Sequence, residues 1–245
     1  MTSHPLEIRP LTARSVVLST LLGVHPPRLP ARYLVRAGDL FGIAEGTIRV
    51  ALSRMVASGD LVQDEGMYAL TERLLARQAR QDESRLPHTR DWDGTWEIAV
   101  ITAERRPATE RAALRQAMSG LRFAELREGT WLRPANLIRP RPGTVVRQCT
   151  FLTARPEADP VALAASLWDL GGWAASARAL LDALHRAATT PEKFTLAAAA
   201  LRHLLRDPIL PPELLPREWP GPDLRSLYER FEADFEQLLT HRVLS

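Results

Sequence analysis

Residues 42–59 constrain the fold of this chain more than any other stretch. If residues 44–58 are helical, Ile48, Ala51, Leu52, Met55 and Val56 recur at three- and four-residue spacing and form one inward stripe. Glu45, Gly46, Arg49, Val50, Ser53 and Arg54 are left facing outward. That outer set suits a DNA major groove. Arg49 and Arg54 can reach guanine edges or phosphates, Thr47 and Ser53 can hydrogen-bond bases or backbone, and Val50 can meet a thymine methyl. Glu45 then has to point past the phosphates or toward a cytosine amine. The competing reading is an ordinary amphipathic surface helix with two arginines outside, and the flanking sequence decides between them.

Upstream, Val16, Val17, Leu18, Leu21 and Leu22 give residues 14–23 a helical pattern, and residues 31–41 form a second helix whose end is marked by Gly42. Downstream, residues 61–63 and 67–71 read as a hairpin around the tip Asp64, Glu65 and Gly66. Helix, helix, turn, recognition helix and hairpin in that order make a winged helix-turn-helix. Arg28, Arg32, Arg36, Arg49 and Arg54, against only Asp39 and Glu45, concentrate positive charge over residues 28–54, where phosphates would lie. The wing tip is acidic, so phosphates repel it unless it stays clear of the duplex.

At 245 residues the chain is long enough for two or three domains of modest size. Its net charge of +3 is modest for a DNA binder, but residues 1–85, 86–155 and 156–245 carry +2, +5 and −4 respectively. The acidic last third is therefore not expected to touch DNA. The single Cys149 excludes an intramolecular disulfide and a cysteine-based zinc site, in keeping with a reducing cytosol. No stretch reads as a secretion signal or as a membrane span of roughly 20 apolar residues. A soluble, cytoplasmic protein without a cofactor is expected.

After a connector helix over residues 72–85, ended by Pro87, the pattern turns to strands. Residues 96–101 alternate, with Trp96, Ile98 and Val100 on one face and Glu97, Ala99 and Ile101 on the other. Pro107 fits the first turn of a helix reaching about residue 121, and residues 123–126, 129–132 and 145–153 supply three further strands. That order is expected of a small ferredoxin-like α+β sheet. From residue 160 the chain reads as helical. Residues 161–170 and 173–188 flank Gly171 and Gly172, residues 194–206 form a third helix, and residues 224–239 form a last one with Leu227, Tyr228, Phe231, Phe235 and Leu238 on one face. The six prolines within residues 208–222 predict an extended ribbon before it. The expected architecture is multidomain α+β: a winged helix-turn-helix with its connector helix over residues 1–86, a ferredoxin-like domain over 87–157, and a mainly helical domain over 158–245.

Residues 14–18, the run 47–56, the opening Trp92, Asp93, Gly94, Thr95 and Trp96, the proline-rich run 208–216, and Trp219, Pro220 and Gly221 together resemble the PaaX family of transcriptional regulators. The resemblance spans nearly the whole chain, and the order and spacing of these motifs carry it. It implies a bacterial repressor with an N-terminal winged helix, a central domain similar to the CRISPR-associated ferredoxin-like nuclease subunits, and a helical C-terminal domain. It also implies operator double-stranded DNA as partner and an effector of the phenylacetyl-coenzyme A type that releases the protein from DNA. The acidic wing departs from relatives, whose wings are often basic.

Catalysis is the alternative class. No nucleophile elbow, phosphate-binding loop or zinc-protease pair is present, and the six histidines are scattered without ligand spacing. Asp91 and Asp93, just before the first central strand, are the remaining candidates for a metal-dependent nuclease site, although Asp in such a turn commonly serves the backbone. For an effector, Arg133, Arg139, Arg141 and Arg147 lie in a stretch without any acid. They could hold coenzyme A phosphates, contact DNA backbone, or sit in a solvated loop marked by Pro134, Pro140 and Pro142. Trp131 and Trp168, with Trp96 and Trp173, could line an aromatic acyl pocket, though such tryptophans are more often core. The resulting expectation is a homodimeric, ligand-responsive repressor that binds DNA through Thr47, Arg49, Val50, Ser53 and Arg54 together with Arg32 and Arg36. A DNA-binding regulator without an effector is the further alternative.

Overall fold

The structure, a computed structural model, describes residues 11–104 and 106–244, with side chains through residue 239. Two compact units are present. One unites the chain up to Arg85 with Ala175–Leu205 and the segment from Pro220, and the other unites Leu86–Ala174 with Arg206–Trp219.

The first unit begins with α1 (Ala13–Leu22), β1 (Arg28–Pro30), α2 (Ala31–Asp39), α3 (Glu45–Ala57), β2 (Leu61–Asp64), β3 (Met67–Leu70) and α4 (Glu72–Arg85). Thr12 starts α1 with a capping box, its backbone N–H donating to Ser15 Oγ at 2.7 Å and its own Oγ1 accepting from the Ser15 N–H at 3.1 Å. Two Schellman turns set the ends of α2 and α3. The Ile43 N–H reaches back to the Gly38 carbonyl at 3.0 Å, and the Asp60 N–H to the Met55 carbonyl at 2.9 Å. Gly42 and Gly59 sit between those partners at φ of 66° and 68°, the left-handed region that only glycine enters without strain. Ile48, Leu52 and Met55 of α3 pack on Val17, Leu18, Leu21 and Leu34 to form the core beneath the helix-turn-helix.

The small sheet has the order β1, β3, β2, antiparallel throughout, with Asp64 opposite Met67 across a tight turn. Glu65 and Gly66 take φ of 47° and 76° at the tip, as a type I′ hairpin requires. Strand β1 is an addition to the sequence expectation. Its three residues include Pro30 and are too short to alternate, so periodicity does not reveal them.

The C-terminal helices complete this unit. They are α8 (Leu170–Arg186), which enters it at Ala175, α9 (Thr190–Leu204) and α10 (Gly221–Leu244). Thr189 and Glu192 form a second capping box at the start of α9, and those backbone donors hold the Glu192 carboxyl below its ordinary range. Leu239 of α10 packs with Val16 of α1 and Ala37 of α2, so the last helix closes over the helix-turn-helix scaffold. Phe41, Phe194, Phe231 and Phe235 form an aromatic cluster alongside, with ring centroids 4.7–6.3 Å apart.

The second unit is built on β4 (Trp96–Ile101), α5 (Ala108–Gly120), β5 (Ala124–Arg127), β6 (Thr130–Pro134), α6 (Gly143–Val146) and β7 (Cys149–Ala154). The sheet order β5, β6, β4, β7 is antiparallel at every pairing, the arrangement of a ferredoxin-like fold. As the alternation predicts, Ala99 and Ile101 face α5 with Leu114 and Met118, while Trp96 and Ile98 face α7 (Pro160–Leu167) and the ribbon before α10.

Three boundaries differ from the sequence expectation. The last central strand starts at Cys149 rather than at 145, because residues 143–146 form a helical turn behind Pro142. Gly171 and Gly172 do not break the helical region but lie in the first turn of α8, where Asp169 Oδ1 accepts the Gly172 N–H at 2.8 Å. The proline-rich ribbon contains a 3-10 turn, Pro212–Leu214, and ends one residue before Gly221, so Pro222 falls in the first turn of α10. The packing of the ribbon explains its composition: Leu210 and Leu214 are buried beside Trp96, and Trp219 stacks on Trp173 at 4.5 Å.

Candidate nucleic-acid interface

Helix α3 divides as its spacing predicts. Ile48, Leu52 and Met55 are at most 1% exposed, while Thr47, Arg49, Val50, Ser53 and Arg54 all lie on the outer face. Ala51 and Val56, assigned to the inner stripe, are half-buried at its margins. The N-cap is Ala44, whose side chain cannot cap, so no side chain caps the first turn, where the Thr47 N–H donates to the Ala44 carbonyl at 2.9 Å. Arg49 is held by Glu45 one turn away, at 2.6 Å, with both side chains more than half exposed. Arg54 forms no ion pair among the described residues.

The two arginines assigned to α2 differ. Arg32 is exposed, its guanidinium 5.7 Å from the Tyr33 ring. Arg36 is half-buried and its Nη1 is enclosed without a hydrogen-bond partner, so only part of this side chain remains for a phosphate. The acidic wing has a counter-charge that the sequence reading overlooked. Strand β1 carries Arg28, which approaches Asp64 at 3.4 Å. Without β1, Arg28 had no place on the wing.

A second basic group stands behind the wing. Asp60 is 3% exposed, pairs with Arg14 at 2.7 Å and with Arg73, and accepts from Ser58 Oγ at 3.1 Å. The Arg14 contact, ahead of the others, holds its carboxyl below the ordinary aspartate range. Arg77, one turn beyond Arg73, has no ion pair or hydrogen bond among the described residues. Its side chain is solvent-exposed, and partial desolvation where it meets the protein, with Arg14 and Arg80 nearby, weakens its hold on its proton. The spacing of Arg73, Arg77 and Arg80 along one helical face was visible in the sequence, but nothing there placed Arg14 beside them.

Three of the arginines grouped as an effector patch, Arg133, Arg139 and Arg141, lie near one another but are engaged within the protein. Arg133 is interior, at 3% exposure. Its Nε donates to Glu97 Oε2 at 2.9 Å, its Nη groups donate to the Leu121 and Leu137 carbonyls, and it lies 5.0 Å from the Phe123 ring. Desolvation lowers its pKa despite Glu97. Arg141 covers the Phe151 ring at 3.9 Å and reaches Glu97 at 3.4 Å, and Arg139 donates to the Gly120 carbonyl. Arg147 is exposed. Strand alternation could have identified Arg133 as interior, since it faces Glu97 across β4 and β6. Trp131 and Trp168 lie on opposite faces of the sheet. Trp131 is buried with Ala99 and Met118, whereas Trp168 stacks on Trp96 at 6.4 Å. They share no pocket. Asp93 accepts the Thr95 N–H at 3.0 Å and the Thr95 hydroxyl at 2.6 Å, contacts that lower its pKa and commit it to the turn. Asp91 is exposed.

A winged helix-turn-helix, a ferredoxin-like sheet and a helical C-terminal region define a modular α+β architecture. Residues 12–74 match the family described as PaaX-like protein, residues 89–150 the PaaX protein central Cas2-like domain, and residues 170–243 the PaaX-like protein C-terminal domain. The chain belongs to the PaaX family of transcriptional regulators. It is similar to the solved structure of Uncharacterized protein Rv0674 from Mycobacterium tuberculosis, with a TM-score of 0.83 and 49% identity, over 95% of this chain and 99% of that one. Comparison with curated proteins gives no match. Among the described residues no helix is long and apolar enough to cross a membrane.

Proposed function

We propose that this PaaX-family regulator is a cytoplasmic repressor that binds operator double-stranded DNA as a homodimer and leaves it on binding an aromatic acyl-coenzyme A such as phenylacetyl-coenzyme A. The outer face of α3 carries the reading: Thr47, Arg49, Val50, Ser53 and Arg54 are all exposed on a helix whose other face is fixed by a fully buried stripe. The Glu45–Arg49 pair does not block that role. An exposed pair one turn apart contributes about 0.3–0.5 kcal/mol, whereas a bidentate guanine contact gives about 1–3 kcal/mol of discrimination, so Arg49 exchanges partners on DNA. Two copies are invoked because one winged domain offers a small interface, and a twofold dimer reads half-sites a helical turn or a multiple of it apart. The effector class follows from the family resemblance. The commitment of Asp93 to its own turn favours a regulator over a nuclease.

Arg49→Ala tests the reading. It should cut the preference for operator over scrambled DNA by about 10-fold or more at one fixed salt concentration, with an unchanged circular dichroism spectrum. An unchanged preference would remove α3 from the interface. Sedimentation showing only monomer at micromolar concentration would refute the dimer.

A further inference from the structure

The first unit holds a cavity of about 310 Å³, partly open to solvent and bounded by α1, α4, α9 and α10. Its wall is aromatic: Phe194, Phe231 and Phe235 lie with ring centroids 5.2–6.2 Å apart, and Leu18 and Leu201 extend the apolar surface. Arg14, Arg77, Arg202, Glu232 and Glu236 are its charged lining residues, and Arg14 and Arg77 lie near one another. The charges are not equally engaged. Arg14 is paired with Asp60, and Glu232 with Arg85 at 2.5 Å. Arg77 has no anionic partner among the described residues, and its electrostatic neighbours, Arg14 and Arg80, are like charges. Arg77 is an exposed guanidinium beside two like charges at the mouth of an aromatic-walled cavity, and a bound anion there would gain a charge-assisted contact.

We infer that this cavity is a ligand site for a compact aromatic acyl group bearing an anion, with the ring against Phe194, Phe231 and Phe235 and the anionic end at Arg77. The inference gives a location to the effector in the function proposed above and rests on that reading for its regulatory consequence. Small-molecule sites run from about 300 to 1,000 Å³, so the cavity takes an aromatic acid with its carboxylate at Arg77; a coenzyme A thioester has no charge at its acyl end and would meet the rim arginines only through the phosphates of a nucleotide that stays outside. The route to DNA is short. Leu18 and Leu22 line the cavity and also belong to the core that seats Ile48 and Leu52 of α3. An occupant that shifts α1 changes the support of the recognition helix, and it favours the DNA-free state only by its differential affinity for the two states.

The test uses the full chain, with phenylacetate and phenylacetyl-coenzyme A titrated separately by calorimetry, and operator release followed in parallel. Two variants report on the site: Arg77→Gln removes the anion's partner, and Ala198→Phe, on the cavity wall, fills the space. Wild type should bind at least one probe. Arg77→Gln should weaken that binding about 10-fold or more, and Ala198→Phe should abolish it, with helical content retained in both variants and operator affinity retained in Arg77→Gln. Tighter binding of phenylacetate than of the thioester would assign the site to the free acid, and the reverse to the thioester. Wild-type affinity in both variants, or no binding of either probe at millimolar concentration, would overturn the site. Release of DNA by the thioester with both variants responding as wild type would refute the site and leave the repressor reading standing. Binding that the variants abolish, without any effect on DNA, would support the site and refute the regulatory reading.

Discussion

Gly38 is the position where the angle between α2 and α3 is set by atomic contact. A β-carbon built there would lie 2.5 Å from Ile48 Cγ1, 2.8 Å from Ile48 Cδ1 and 3.4 Å from the Ile43 carbonyl oxygen. Carbons attract best near 3.5–4.0 Å, so Gly38→Ala must drive the two helices apart by roughly 1 Å or push Ile48 off its rotamer. Cγ1 lies near the root of a side chain with no exposed surface, so neither movement is easy. Overpacking of this kind costs about 1–3 kcal/mol, and the gain in helix propensity from Gly to Ala returns up to about 1 kcal/mol. The expected net loss is about 1–2 kcal/mol. Ile48→Ala alone should cost about 2–5 kcal/mol through its cavity. In the double variant the clash is gone and the new methyl occupies vacated space, so it should be more stable than the sum of the singles predicts by about 2 kcal/mol. Urea unfolding should show these differences as shifts in midpoint at constant slope. Operator affinity should fall in Gly38→Ala, because the recognition helix is re-aimed. Gly46, where an added β-carbon would meet nothing within 4 Å, is the control, and Gly46→Ala should be neutral or stabilising. Additivity of the two mutations within about 0.5 kcal/mol, or a stabilised Gly38→Ala, would refute the reasoning.

Asp60→Ala should cost about 1–3 kcal/mol, because Arg14, Arg73 and Ser58 lose a shared buried acceptor; thermal melts measure it. The pH dependence has a definite sign. The folded-state pKa of Asp60 is lowered, so its contribution is fully present above the ordinary aspartate value of 3.8 and is lost as pH falls through the folded value. The stability difference between wild type and Asp60→Ala should therefore shrink below about pH 4, and a difference that stays constant down to pH 2 would contradict it. In the second unit, Glu97→Gln should cost about 3 kcal/mol or more by leaving Arg133 buried without its counter-ion, while the double change Glu97→Leu with Arg133→Met should recover most of that loss in a melting experiment.

Much of the winged region was legible because helical periodicity, the glycines after α2 and α3, and the Glu65–Gly66 turn are local signals. Strand β1 was not, since three residues ending in proline carry no period. The ferredoxin-like order was readable from alternation on β4, which assigned Ala99 and Ile101 to one core and Trp96 and Ile98 to the other. The same alternation, extended to β6, would have marked Arg133 as interior. Loop composition hid this by placing it among prolines. The exposed set Thr47, Arg49, Val50, Ser53 and Arg54 was legible because one helix carries all five. The cavity was not, because its lining comes from four helices, with Leu18 and Phe235 more than 200 positions apart, and only tertiary packing makes them neighbours.

The three-segment construction of the first unit has a consequence for synthesis. Val16 and Ala37 find their partner Leu239 only when nearly all of the chain has left the ribosome. The intervening Leu86–Ala174 emerges earlier and can close its own sheet, whose strands lie close together along the chain. The apolar face of α9, with Phe194, lacks its cover until α10 arrives, a hazard for aggregation. Loop-closure entropy grows only logarithmically with length, so the long return costs little in final stability, but it makes the winged helix-turn-helix unit the last part of the molecule to be finished.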